Sequence, residues 1–96
     1  MIEVRQTAEF TNWLRRLRDA NAKVRIVARI RRMEQGNFGD CKSLAAGLME
    51  MRIDYGPGYR VYYTQQGAVI VMLLCAGDKA TQQQDIKRAR KHLEKL

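Results

Sequence analysis

At 96 residues and 46% hydrophobic content, the chain is long enough for one domain with a real core and too short for two. Eighteen Lys and Arg against ten Asp and Glu leave a net charge of +8, which points to an anionic partner such as nucleic acid or an acidic protein. No apolar run approaches the roughly 20 residues of a membrane span, and the start Met-Ile-Glu-Val-Arg lacks the basic and apolar regions of a signal peptide, so a cytoplasmic protein with two reduced thiols, Cys41 and Cys75, is expected.

Ile2 to Arg5 alternate apolar and charged residues as a short strand does. Thr7 is placed to cap a helix whose apolar stripe is Phe10, Trp13, Leu14 and Leu17, with Glu9 in the first turn. After Asp19-Ala20-Asn21, with Asn21 as the candidate cap, a second helix carries Val24, Val27, Ile30 and Met33 at three-residue steps and ends at Gly36. The short connection makes the two an antiparallel hairpin. Asn37 to Gly47 has no period and reads as a loop. Ala68 to Cys75 is a continuous β-rich apolar run, expected as a strand covered on both faces. Thr81-Gln-Gln-Gln84 reads as a capping box opening a last helix with Ile86, Ala89 and Leu93 inward.

Between the loop and the buried run lies Glu50 to Tyr63, E-M-R-I-D-Y-G-P-G-Y-R-V-Y-Y. Its two alternating halves flank Gly56-Pro57-Gly58 and read as a β-hairpin with a loop of about three to five residues. Pairing Tyr55 with Tyr59 sets Asp54 opposite Arg60, Ile53 opposite Val61 and Arg52 opposite Tyr62. One face then holds Met51, Ile53, Val61 and Tyr63; the other holds Glu50, Arg52, Asp54, Arg60 and Tyr62. The element order β-α-α-β-β-β-α argues for an α+β fold with its helices on one sheet face.

Four segments in this order resemble one family: F-T-N-W-L-R-R-L-R-D from Phe10, G-N-F-G-D-C-K-S-L from Gly36, the hairpin itself, and G-D-K-A-T-Q-Q-Q-D-I-K-R-A from Gly77. Together they resemble the RelE/ParE superfamily of type II toxin–antitoxin toxins, and within it the HigB-like, phage-derived (Gp49-like) branch of addiction-module killer proteins. The resemblance covers nearly the whole chain. It implies a small twisted antiparallel sheet with an N-terminal helical hairpin and a C-terminal helix. It also implies a toxin that cleaves mRNA in the ribosomal A site, a cognate helix-turn-helix antitoxin from the adjacent gene, and operator binding only as the toxin–antitoxin complex. The positions matching the family's active surface are Glu50, Arg52, Arg60 and Lys79.

Metal-free RNA cleavage must deprotonate a 2′-hydroxyl, stabilise a phosphorane and protonate the leaving 5′-oxygen. Arg52 and Arg60 suit the phosphorane, since a guanidinium fork holds phosphate oxygens bidentately. Lys79 suits charge stabilisation or leaving-group protonation. Glu50 is the first candidate base, with Asp54, Asp78 and Asp85 behind it. Tyr55, Tyr59 and Tyr62 are candidates to stack on a base or orient a phosphate, and Lys42 and Gln83 are further RNA-contact candidates. Each has a plainer alternative: Asp54 and Arg60 as a cross-strand ion pair, Tyr59 as a packing residue, the glutamines as a helix start. His92 is expected on the surface without a partner. No His/Cys/acid spacing predicts a metal, and no cofactor is expected. A ParE-like gyrase inhibitor and a non-toxic phage-derived binding module are the competing functions, because one fold hosts several.

Overall fold

The computed structural model describes residues 1–96. β1 (Glu3–Gln6) is followed by α1 (Ala8–Arg16), α2 (Ala20–Glu34), β2 (Cys41–Ser43), β3 (Met49–Ile53), β4 (Tyr59–Gln66), β5 (Ile70–Asp78), a 3-10 turn (Lys79–Thr81) and α3 (Gln82–Glu94). The fold is α+β, with one five-stranded sheet ordered β1-β5-β4-β3-β2. β2 to β5 form an antiparallel meander, while β1 pairs parallel to β5, so the sheet is mixed at that edge. β2 lies within the stretch expected to be only loop. No helix is long and apolar enough to cross a membrane.

Thr7 caps α1 as expected: its hydroxyl accepts from the Phe10 N–H at 3.1 Å and donates to the Leu74 carbonyl at 2.6 Å, tying the helix start to β5. Asp19, not Asn21, caps α2, accepting from the Asn21 and Ala22 amides. The buried stripe of α2 is Ala22, Ile26 and Met33, with Ile30 packed beside them, and Val24 is 67% exposed. The expected three-residue spacing fails for a geometric reason. With 3.6 residues per turn, each such step falls about 60° short of a full turn, so three steps carry Val24 to the side opposite Met33.

The helices cover both sheet faces rather than one. Phe10, Ile26 and Met33 pack on Met51, Ile53, Tyr59, Val61, Tyr63 and Leu73. On the opposite face α3, through Ala89, closes over Leu48, Tyr62, Leu74 and Cys75. β5 is apolar on both sides because it serves both cores, as its unbroken run predicted. The register slips between Tyr62↔Cys75 and Tyr63↔Leu73, so Leu74 is an extra residue and joins Cys75 beneath α3.

Candidate functional site

The hairpin carries the site, with a corrected register. Arg52 pairs with Arg60, Ile53 with Tyr59, Met51 with Val61 and Glu50 with Tyr62. The connection spans five residues, 54 to 58, because Gly56 (φ 57°) and Gly58 (φ 81°) close a turn sealed by the Gly58 N–H donating to the Tyr55 carbonyl at 3.1 Å. Asp54 and Tyr55 are drawn out of the ladder. The slip is by two residues, so each side chain still in the ladder keeps the expected face even though its partner changes.

Two transverse rows face α3. Lys42, Glu50, Tyr62 and Cys75 are register neighbours across β2 to β5, and Arg52, Arg60 and Gly77 form the next row across β3 to β5. Two guanidinium-bearing residues therefore sit directly opposite each other, which costs repulsion unless anions are near. Each has one. Arg52, 39% exposed, donates from Nε (3.2 Å) and Nη2 (2.8 Å) to Asp40 Oδ1. Hydrogen bonding from Arg52 holds the Asp40 carboxyl below its usual range, and the same bond raises Arg52. Arg60, 16% exposed, lies 3.9 Å through Nε from Glu50 Oε1, an ion pair too long to be a hydrogen bond. The Asp54–Arg60 pair is not formed: Asp54 is exposed in the loop.

Glu50 is only 2% exposed and accepts from Gln82 Nε2 at 2.8 Å. Gln82, at the first turn of α3, also lines a concavity of about 560 Å³ with Lys79, Ala80, Thr81, Gln83 and Gln84. Arg60, Glu50 and Gln82 are linked by these contacts, with Arg52 the register neighbour of Arg60; Lys79 and Gln83 line the concavity beside Gln82, which the two arginines and Glu50 do not line. Lys79 stands beside the hairpin turn, where a Cβ on Gly58 would come 3.6 Å from its own Cβ. Arg60 Nε and the Tyr62 hydroxyl are buried with no hydrogen-bond partner. Such unmet buried donors cost about 1–3 kcal/mol each. No three His, Cys, Asp or Glu side chains converge as metal ligands would.

Several candidates lie elsewhere. Tyr62 is fully buried beneath α3, where burial pushes its phenol up, so it has no face to stack on a base. Tyr59 sits on the other sheet face, edge-on to Trp13 with ring centroids 6.0 Å apart. Tyr55 lies toward α2, beneath the Arg25 guanidinium at 4.6 Å, with its hydroxyl 3.4 Å from Asp19 Oδ1. Asp85, 2% exposed, is held by Thr81 Oγ1 at 2.5 Å and Arg88 Nη2 at 2.7 Å, so its carboxylate is already spent inside the fold. Asp78 caps the 3-10 turn, accepting from the Ala80 and Thr81 amides. The capping box is therefore Asp78 with Thr81, not Thr81 with Gln84, because Thr81 turns its hydroxyl back to Asp78 and Asp85. Lys42 and Gln83 are exposed, Lys42 on the Glu50 side of β2. His92 does have a partner: Nε2 lies 2.9 Å from Glu9 Oε1, linking α3 to α1.

Asp40 and Arg29 were not singled out from the sequence, and Gln82 was read chiefly as part of a helix start. Arg29 reaches from α2 to donate to the carbonyls of Arg52 (2.6 Å), Phe38 (3.3 Å) and Asp40 (3.3 Å). It thereby fixes the loop that brings Asp40 to Arg52. Glycine is favoured at 39 by its φ of 66°, and a Cβ there would also come 3.0 Å from Arg29 Nη2.

This chain belongs to the phage-derived Gp49-like protein family (DUF891), a RelE-like, toxin-like family, which it matches over residues 12–94. It is 52% identical over 89 residues to an uncharacterized protein of Haemophilus influenzae, a match that covers 93% of this chain and 90% of that protein. No solved structure matches it.

Proposed function

We propose that this protein is the toxin of a type II toxin–antitoxin pair and acts as a ribosome-dependent mRNA endoribonuclease. The observation that carries the reading is the Arg52–Arg60 pair, set face to face across β3 and β4 and backed by buried Glu50. Asp40 and Glu50 offset the repulsion between the two cations, and neither acid takes up the whole of its guanidinium fork. The pair suits a phosphodiester, whose two non-bridging oxygens accept from two forks. Membership in a toxin-like family points the same way.

In this mechanism Arg52 and Arg60 hold the scissile phosphate and stabilise the phosphorane. Glu50 takes the 2′-hydroxyl proton once Gln82 swings away from its Oε2, and Lys79 protonates the leaving oxygen. Lys42 and Gln83 contact the flanking backbone. A cognate antitoxin neutralises the protein, and the pair together binds operator DNA.

The test is induced expression with mapping of mRNA 5′ ends. Arg60→Ala is a poor variant, because it strands a buried carboxylate. Arg52→Ala and Arg60→Lys are better, since the first is at the surface and the second keeps the charge. Losing one preorganised cation costs about 3 kcal/mol, or roughly 10²-fold in cleavage. Intact mRNA in arrested wild-type cells, with supercoiling blocked in a purified gyrase assay, would overturn the reading in favour of gyrase inhibition.

A further inference from the structure

A second cationic site lies on the α2 side of the sheet. Arg25, Arg29 and Arg32 recur at i, i+4 and i+7 and so share one helix face. With Ala28, Ile53 and Asp54 they line a concavity of about 170 Å³ at the end of β3. Arg29 is tied down by its three carbonyls, which leaves Arg25 and Arg32 as the free cations. Neither is in a salt bridge, and both are exposed. Asp54, the one acid lining the concavity, pairs with none of the three. Arg25 is held over the Tyr55 ring, which fixes its direction without neutralising it.

We propose that Arg25 and Arg32 form an RNA-backbone subsite that extends the Arg52–Arg60 phosphate site around the end of β3. The juxtaposition is covalent and hydrogen-bonded. Ile53 and Asp54 of the concavity directly follow Arg52, and Arg29 donates to the Arg52 carbonyl. A single strand that crosses Arg60 and then Arg52 would turn over the edge of β3, past Asp40 and the carbonyls that hold Arg29, to reach Arg25 and Arg32 on the opposite face. Unneutralised cations at that point bind phosphates by releasing counterions, with no sequence preference. This rests on the RNA-directed reading of the first site but does not require that it cleave.

The experiment measures binding of a short 2′-O-methyl oligoribonucleotide, which cannot be cleaved, across a range of salt. Each phosphate contact on a single strand contributes about 0.7 to the slope of log K against log salt. Arg25→Gln with Arg32→Gln is expected to flatten the slope by about 1.4. Arg15→Gln with Arg18→Gln removes the same charge from α1 and its following loop and is expected to leave the slope close to wild type. Arg25→Lys with Arg32→Lys keeps both charges and is expected to restore the slope, which separates lost contact from lost fold. Equal slopes in the two Gln pairs overturn the proposal, as does an unchanged slope in the α2 pair. A wild type that binds with the full slope but cuts no mRNA in a translating extract overturns the nuclease reading while this subsite stands.

Discussion

Tyr62 and Gly77 show how single positions on the α3 face are constrained in opposite ways. The Tyr62 ring fills the smaller core, but its hydroxyl is buried with no partner. Removing an unsatisfied buried group while keeping the ring is neutral or favourable, so Tyr62→Phe should raise the unfolding free energy by up to about 1 kcal/mol in urea titration. Gly77 has the reverse problem. A Cβ there would sit 1.8 Å from Asp85 Oδ2 and 2.7 Å from Thr81 Oγ1. Asp85 accepts from Thr81 and Arg88, and Thr81 is held by Asp85 and the Asp78 carbonyl, so neither can give way freely. Gly77→Ala should cost at least about 1–3 kcal/mol, the range for overpacking, and the same titration reads it. The close approach matters to the site, since Gly77 is the register neighbour of Arg60.

At the scale of elements, α1 and α3 meet across the edge of β5 through one carboxylate. Glu9 accepts from Arg88 Nε and lies against His92 Nε2, each at 2.9 Å. Burial works to raise the Glu9 carboxyl, but the hydrogen bonds from His92 and Arg88 outweigh it and hold it below its usual value. A folded-state pKa below the unfolded value of about 4.3 means this contact adds stability above that pH and loses it as pH falls through the folded pKa. Glu9→Gln should therefore lower stability at pH 7, by under about 1 kcal/mol given the solvent screening of a part-exposed pair. The gap from wild type should close below about pH 4. Trp13 lines the same groove and reports it by fluorescence. Elements of this kind were readable in sequence where periodicity was local: the α1 stripe, the hairpin faces and the doubly covered β5. Contacts between elements were not. His92 met Glu9, and Asp40 met Arg52, from segments 83 and 12 residues apart, and no local pattern encodes such meetings. Asp40 was further hidden in a stretch without period, although Arg29 and Gly39 make that loop a built structure. The α2 stripe was misread because three-residue steps look regular in sequence and drift on a helix.

Across the whole molecule, acids and cations are used differently. Glu3, Glu9, Asp40, Glu50 and Asp85 are in salt bridges, and Asp19 and Asp78 cap helical turns, so most of the ten acids serve local contacts. The eighteen cations are left in excess, with Arg15, Arg16, Arg18, Arg25, Arg31 and Arg32 exposed on the α1–α2 side. A net charge of +8 on a body with a radius of gyration of 12.2 Å repels itself. Added salt screens that repulsion over a Debye length of about 10 Å at 0.1 M. Two opposed salt responses follow. The free protein should melt at higher temperature as NaCl rises from low to moderate concentration, because screening helps the compact state more than it weakens a few exposed pairs. With RNA bound at 100-fold over its dissociation constant, the fold gains about 2.7 kcal/mol, and that gain should shrink with the same salt as counterion release weakens binding. Thermal melts with and without oligonucleotide should therefore converge as salt increases. A free protein whose melting temperature falls with salt would show instead that its ion pairs outweigh its excess charge.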